Sequence, residues 1–103
     1  MKQKKKVMQT ENKPPHPGEI LLKQYLEPNN LSQSAFAEHL SWTYARLNEI
    51  INIRRGVTAD SALSFSEAFG TSPEYWMKLQ TDWDLWHAKQ THKPSRPISE
   101  MQC

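Results

Sequence analysis

Between residues 17 and 87 apolar side chains recur at three- and four-residue intervals, and no stretch alternates apolar with polar as a half-buried strand does. The pattern predicts an all-α fold of five helices. The first opens at Pro17, favoured in a first turn, with Glu19 near the positive end of the dipole. Ile20, Leu21, Leu22, Tyr25 and Leu26 form its apolar side, and Pro28-Asn29-Asn30 stop it. Ser32 is placed to cap the second, with Leu31 positioned to staple onto Phe36 and with Phe36, Ala37 and Leu40 facing inward. After a short break at Ser41-Trp42, Thr43 caps a third helix whose apolar face is Leu47, Ile50 and Ile51. Thr58 caps the fourth, Asp60 lies in its first turn, Ala62, Leu63 and Phe69 are expected inward, and Gly70 ends it. Ser72-Pro73-Glu74 opens the fifth, which places Trp76, Leu79, Trp83 and Trp86 along one stripe.

The two ends lack this periodicity. Residues 1–15 hold five lysines and a Pro-Pro pair and read as a flexible basic arm, and residues 91–103 read as a flexible tail. The single domain is expected over 16–90. Charge follows the same division: residues 1–17 carry a net +4 and residues 88–103 a net +2, whereas 18–87 carry −4. A surface that is cationic throughout is therefore excluded. No run approaches the roughly 18 apolar residues of a membrane span, and no apolar stretch follows the N-terminal lysines as in a secretory signal. The single cysteine, Cys103, excludes an internal disulfide framework and suits a cytoplasmic protein.

Catalytic patterns are missing. His16, His39, His87 and His92 are dispersed without metal-ligand spacing, three glycines make no phosphate loop, and no serine lies in a nucleophile elbow. An enzyme, a metal site and a cofactor are all unexpected.

The second and third helices carry the functional signal. Two short helices joined by a tight turn make a helix-turn-helix, with Ala37 where the helices cross. The third helix then turns Tyr44, Arg46, Asn48 and Glu49 outward, and Arg54-Arg55 follow as candidate phosphate contacts. The competing reading of these arginines is a solvated helix end, where cations favour the dipole. Trp83 and Trp86 come late in a small fold with little core left to cover them, so they are candidates for a partner surface.

The chain resembles the HigA-type antitoxins, or VapI family, of the lambda-repressor-like (Xre) helix-turn-helix superfamily. The resemblance rests on His16-Pro17-Gly18-Glu19, on Gln33 to Ile51, on Gly70 to Gln80 with its Ser-Pro-Glu-Tyr-Trp core, and on Asp84-Leu85. It implies a type II antitoxin that neutralises a small, ribosome-dependent, mRNA-cleaving HigB-like toxin. It also implies autorepression by a homodimer bound to an inverted-repeat operator in double-stranded DNA, with C-terminal helices forming the dimer. By position, Thr43, Tyr44 and Ala45 correspond to the base-facing start of the recognition helix, and Asn48 and Glu49 to its next turn. Gln33 corresponds to a phosphate contact, and Asn52, Arg54 and Arg55 to the segment that grips the backbone. Three departures bear on this. Ser41 and Ile53 stand where glycines are usual, so Ser41 must take a positive φ or the turn must adjust; Trp42 replaces a small aliphatic residue. Glu49 is suited to a cytosine amino group and repels phosphate. These departures point to DNA affinity below the family norm. Two other readings stay open: a transcriptional regulator without a toxin partner, and a toxin-neutralising interaction module that binds DNA weakly.

Overall fold

The computed structural model describes residues 13–101; residues 1–12 of the expected basic arm lie outside the described residues, as do the last two of the tail. Helix α1 begins as an α-helix over Pro17–Ile20 and continues as a π-helix over Leu21–Leu26. It is followed by α2 (Gln33–Leu40), α3 (Tyr44–Ile51), α4 (Ala59–Phe69) and α5 (Pro73–Thr91), with a 3-10 turn at Ile98–Met101. The five expected helices are present, and no strand occurs among the described residues.

Four of the starts are local side-chain chemistry. Ser32, Thr43, Thr58 and Ser72 each accept, on the side-chain oxygen, the N–H three residues ahead, at 3.0, 3.1, 3.2 and 3.1 Å. Each bond satisfies one of the donors a helix start leaves unpaired. The fifth start belongs to His16, whose Nδ1 accepts the Gly18 N–H at 2.9 Å while the Glu19 carboxylate accepts the His16 N–H at 3.0 Å. Of the possible roles for a dispersed histidine, capping is the one realised here, in a buried setting.

The helix ends are equally specific. After α2, Trp42 N–H donates to the Ala37 carbonyl and Ser41 N–H to that of Glu38; after α3, Arg54 N–H donates to Glu49 and Ile53 N–H to Ile50. Both are Schellman closures, which need a left-handed residue just past the helix. Ser41 (φ 62°) and Ile53 (φ 64°) supply it without being glycine, as does Asn30 (φ 53°) after α1. The strain is greatest at Ile53, because a β-branched side chain crowds the following carbonyl. Ile53 is also 39% exposed, so its removal forfeits little burial. Ile53→Gly is expected to raise stability by about 0.5–1 kcal/mol, the relief of strain exceeding glycine's added unfolded-state entropy. A thermal midpoint a few degrees higher would show it; a lower one would mean that the isoleucine packing outweighs the strain.

The core comprises Leu21, Leu26, Phe36, Ala37, Leu47, Ile50, Ile51, Val57, Ala62, Phe65 and Trp76. Its centre is aromatic: Phe65 meets Trp76 at 5.0 Å and Phe36 at 6.1 Å, and Tyr25 meets Trp76 at 5.3 Å between ring centres. In α4 the inward positions are Ser61, Ala62, Phe65 and Ser66, and Leu63, expected inward, is 49% exposed. Leu63 lies about 100° around the helix from Ala62, and α4 docks through the Ala62 side, which Ser66 and Phe69 share. Helix α5 packs on α4 through its first half and buries fully only Trp76 and Gln80. Beyond Gln80 it runs out over the surface.

Candidate nucleic-acid interface

Helix α3 buries Leu47, Ile50 and Ile51 against the core, which fixes the opposite stripe as the outer one. That stripe is Tyr44, Asn48 and Asn52, spaced by four, with Ala45 and Glu49 beside it. Tyr44 is 51% exposed. The polar side chains are joined to one another: Asn48 Nδ2 donates to Gln33 Oε1 at 3.0 Å and lies 3.4 Å from the Tyr44 hydroxyl, and Asn52 Nδ2 donates to Asn48 Oδ1 at 3.0 Å. A single network thus links the first residue of α2 with the whole outer face of α3. The same amides can exchange these bonds for base edges, since Asn and Gln each carry both a donor and an acceptor.

The charges lie beside this stripe. Arg55 donates to Glu49 Oε1 from Nε at 2.8 Å and from Nη2 at 2.6 Å. Both side chains are about half exposed, so the pair adds little to stability. Its effect is electrostatic: Arg55 offsets the charge of the Glu49 carboxylate, the group expected to repel phosphate. Arg54 is exposed and has no ion-pair partner among the described residues. Thr43 and Ala45 are exposed at the start of the helix, with the Thr43 oxygen committed to its cap.

Arg46 departs from expectation. It does not point outward: its guanidinium stacks 3.6 Å from the centre of the Trp42 ring and lies 3.3 Å from Asp60 and 3.2 Å from the Ser61 hydroxyl. The Schellman turn at Ser41 leaves Trp42 beside α3, against Phe65, where its exposed face attracts a cation. Trp42 and Arg46 therefore brace the helix-turn-helix against the start of α4. Position 46 is four residues from Trp42, which was readable; the partners on α4 were not.

Trp83 and Trp86 are half-buried rather than open. The edge of His16 meets Trp83 at 5.0 Å, His87 packs on it at 4.2 Å, and the Lys13 ammonium lies 5.4 Å from Trp83 and 5.6 Å from Trp86. Residues before α1 thus cover part of a surface expected to be free, while Leu85 on the same helix remains exposed. Burial pushes the His16 imidazole below its usual pKa, against the raising effect of the Glu19 and Asp84 carboxylates; nearby His87 lowers it further. A neutral ring is what the Nδ1 cap requires.

Two residues that entered the sequence reading only as part of the resemblance, with no role assigned, complete the region. Gln80 is buried and accepts the Val57 N–H at 2.7 Å. Gly18 lies against the last turn of α3 so closely that a Cβ there would fall 2.0 Å from the Ile50 carbonyl oxygen.

The helix-turn-helix family model matches residues 22–76. Virulence-associated protein I of Dichelobacter nodosus is 45% identical over 75 residues, spanning 73% of this chain and 69% of that protein. The chain belongs to the Xre-type helix-turn-helix family. The group within it is that of the HigA antitoxins and virulence-associated proteins. The solved antitoxin GraA in complex with its operator is similar at 38% identity and a TM-score of 0.74, covering 82% of this chain and 91% of that one. The Pseudomonas aeruginosa antitoxin HigA with the higBA promoter is similar at 34% identity and a TM-score of 0.75, covering 82% of this chain and 98% of its own. No helix among the described residues is long and apolar enough to cross a membrane.

Proposed function

We propose that this chain is a sequence-specific DNA-binding antitoxin that represses its own operon and neutralises a small mRNA-cleaving, HigB-like toxin. One observation carries the DNA reading. A helix anchored on one face presents an unbroken polar stripe on the other, in a chain similar to antitoxins solved with operator or promoter DNA. The eight residues of α3 span about 12 Å, which suits a major groove of about that width. Tyr44, Asn48 and Glu49 would meet base edges, with Thr43 and Ala45 at the entering end. Gln33, Asn52, Arg54 and Arg55 would lie toward phosphates. Arg46 acts indirectly, by holding the angle between α3 and α4.

Binding as a homodimer places two α3 helices in successive major grooves of an inverted repeat, about 34–36 Å apart or a multiple of that. The α5 surface around Trp83, Trp86 and Leu85 is the proposed dimer contact: it is aromatic and partly exposed. The lysines of the N-terminal arm would add non-specific attraction to phosphate.

The test is fluorescence anisotropy with the chain's own upstream DNA and a scrambled duplex across a salt series. Tight, preferential binding that weakens steeply with salt supports the reading, and equal, feeble binding to both duplexes sinks it. Arg54→Ala is expected to weaken both duplexes alike and to reduce the salt slope by about one. Asn48→Ala is expected to cost about 1–3 kcal/mol on the operator and little on the scrambled duplex. An Arg54→Ala protein with an unchanged slope would remove that residue from the phosphate contacts.

A further inference from the structure

The segment between α3 and α4 carries Arg54 and Arg55 across the surface, and only Val57 within 52–58 is buried. Its first half is fixed by the Schellman closure on Glu49 and its end by the Thr58 cap. What holds the middle comes from α5. Gln80, 8% exposed, accepts the Val57 N–H at 2.7 Å and donates from Nε2 to Asp84 Oδ1 at 2.9 Å. The loop backbone is seated on this amide: a Cβ at Gly56 would lie 3.0 Å from Gln80 Cδ and 3.1 Å from both its polar atoms.

A buried carboxamide is a costly way to fill space, since an apolar side chain of similar size needs no partners. Gln80 instead supplies an acceptor for a backbone N–H that would otherwise be buried without one, and its own N–H is satisfied by Asp84. We infer that Gln80 is a positioning residue for DNA binding, latching the loop to α5 so that Arg54 and Arg55 are held ready for adjacent phosphates. This rests on the DNA-binding reading above. Without the latch the Gly56 region gains conformational freedom, which binding must then remove before both arginines engage.

The variant Gln80→Met keeps the volume and loses both hydrogen bonds. In the full chain it is expected to speed amide exchange at Val57. It should also weaken the operator and the scrambled duplex alike, by about tenfold, and lower the salt slope. Combining Gln80→Met with Arg54→Ala should cost less than the sum of the two, because both act through one contact. The double change Gln80→Glu with Asp84→Asn reverses the donor and acceptor of the side-chain pair while leaving an acceptor for Val57. It is expected to restore affinity and slope, which simple core repair would not do. A folded Gln80→Met protein with wild-type affinity and slope overturns the inference. Should Gln80→Met fail to fold, Gly56→Ala disturbs the same seat from the loop side; unchanged binding there overturns it equally. Wild-type protein that binds both duplexes feebly and equally removes the DNA reading and this inference together. Tight wild-type binding with an unaffected variant removes only the inference.

Discussion

Gly18→Ala is expected to lose more stability than an ordinary overpacked core position, and to do so by driving α1 off the recognition helix. The added Cβ would stand 2.0 Å from the Ile50 carbonyl oxygen, 2.8 Å from its carbon and 2.9 Å from Ile51 Cα. Inserting a methylene among side chains costs about 1–3 kcal/mol, because rotamers can shift. Here every neighbour is backbone in the last turn of α3, so no rotamer change relieves the overlap. Helix α1 must retreat, and with it go the buried Leu21 and the His16 cap at its start. A cost above about 3 kcal/mol is the expected result, a large part of the roughly 5–15 kcal/mol of a typical domain. Urea denaturation of the purified variant measures it, and a midpoint close to that of wild type would show that the two backbones can separate cheaply. The φ of Gly18 is not the reason for glycine here; the reason is space.

The second large effect is expected at Trp76. This side chain is fully buried and touches Tyr25, Phe65, Phe69 and Tyr75, with Nε1–H donating to Thr71 Oγ1 at 2.8 Å. Trp76→Ala removes the largest buried side chain and leaves a cavity between α1, α4 and α5, at a cost of about 3–5 kcal/mol. For a domain of this size each kcal/mol is worth about 4–8 °C, so the thermal midpoint should fall by well over 10 °C. Trp76→Phe keeps most of the apolar contact, loses the bond to Thr71 and should fall between the two. Thermal unfolding followed by far-ultraviolet circular dichroism separates the three proteins. A Trp76→Ala midpoint within a few degrees of wild type would mean that the aromatic cluster collapses to fill the space. By contrast Trp83, half-buried beside His16 and Lys13, should cost far less for the fold and show its effect in self-association.

Both positions bear on how the candidate interface is held. Gly18 places α1 under the end of α3, and Trp76 fastens α5 to α4. Gln80, one turn further along α5, reaches the loop that carries Arg54 and Arg55. The recognition helix and the loop after it are thus held by residues that lie outside the outer stripe. The departures from the family pattern also look different in three dimensions. Ser41 and Ile53 accept the left-handed backbone that glycine would adopt more cheaply. Trp42 becomes a platform for Arg46, and Glu49 is neutralised by Arg55. The turn geometry of the helix-turn-helix is therefore kept, at a cost in stability.

Elements whose cause is local were legible along the chain. Ser32, Thr43, Thr58 and Ser72 could be read as helix starts because a cap bonds only three residues ahead. The apolar faces of α2 and α3 followed from helical spacing, and with them the outward placement of Tyr44, Asn48 and Glu49. Packing settled the features whose partners lie far along the chain. Arg46 turns inward because Asp60 and Ser61 lie 14 and 15 residues on, and Gln80 is buried because Val57 lies 23 residues back. Leu63 is left outside, and Phe65 brought in, by the phase at which α4 docks. Gly18 must be glycine because α3 crosses against it. Spacing along one helix fixes which side chains share a face, but which backbone or amide arrives opposite that face is settled by the packing of all five.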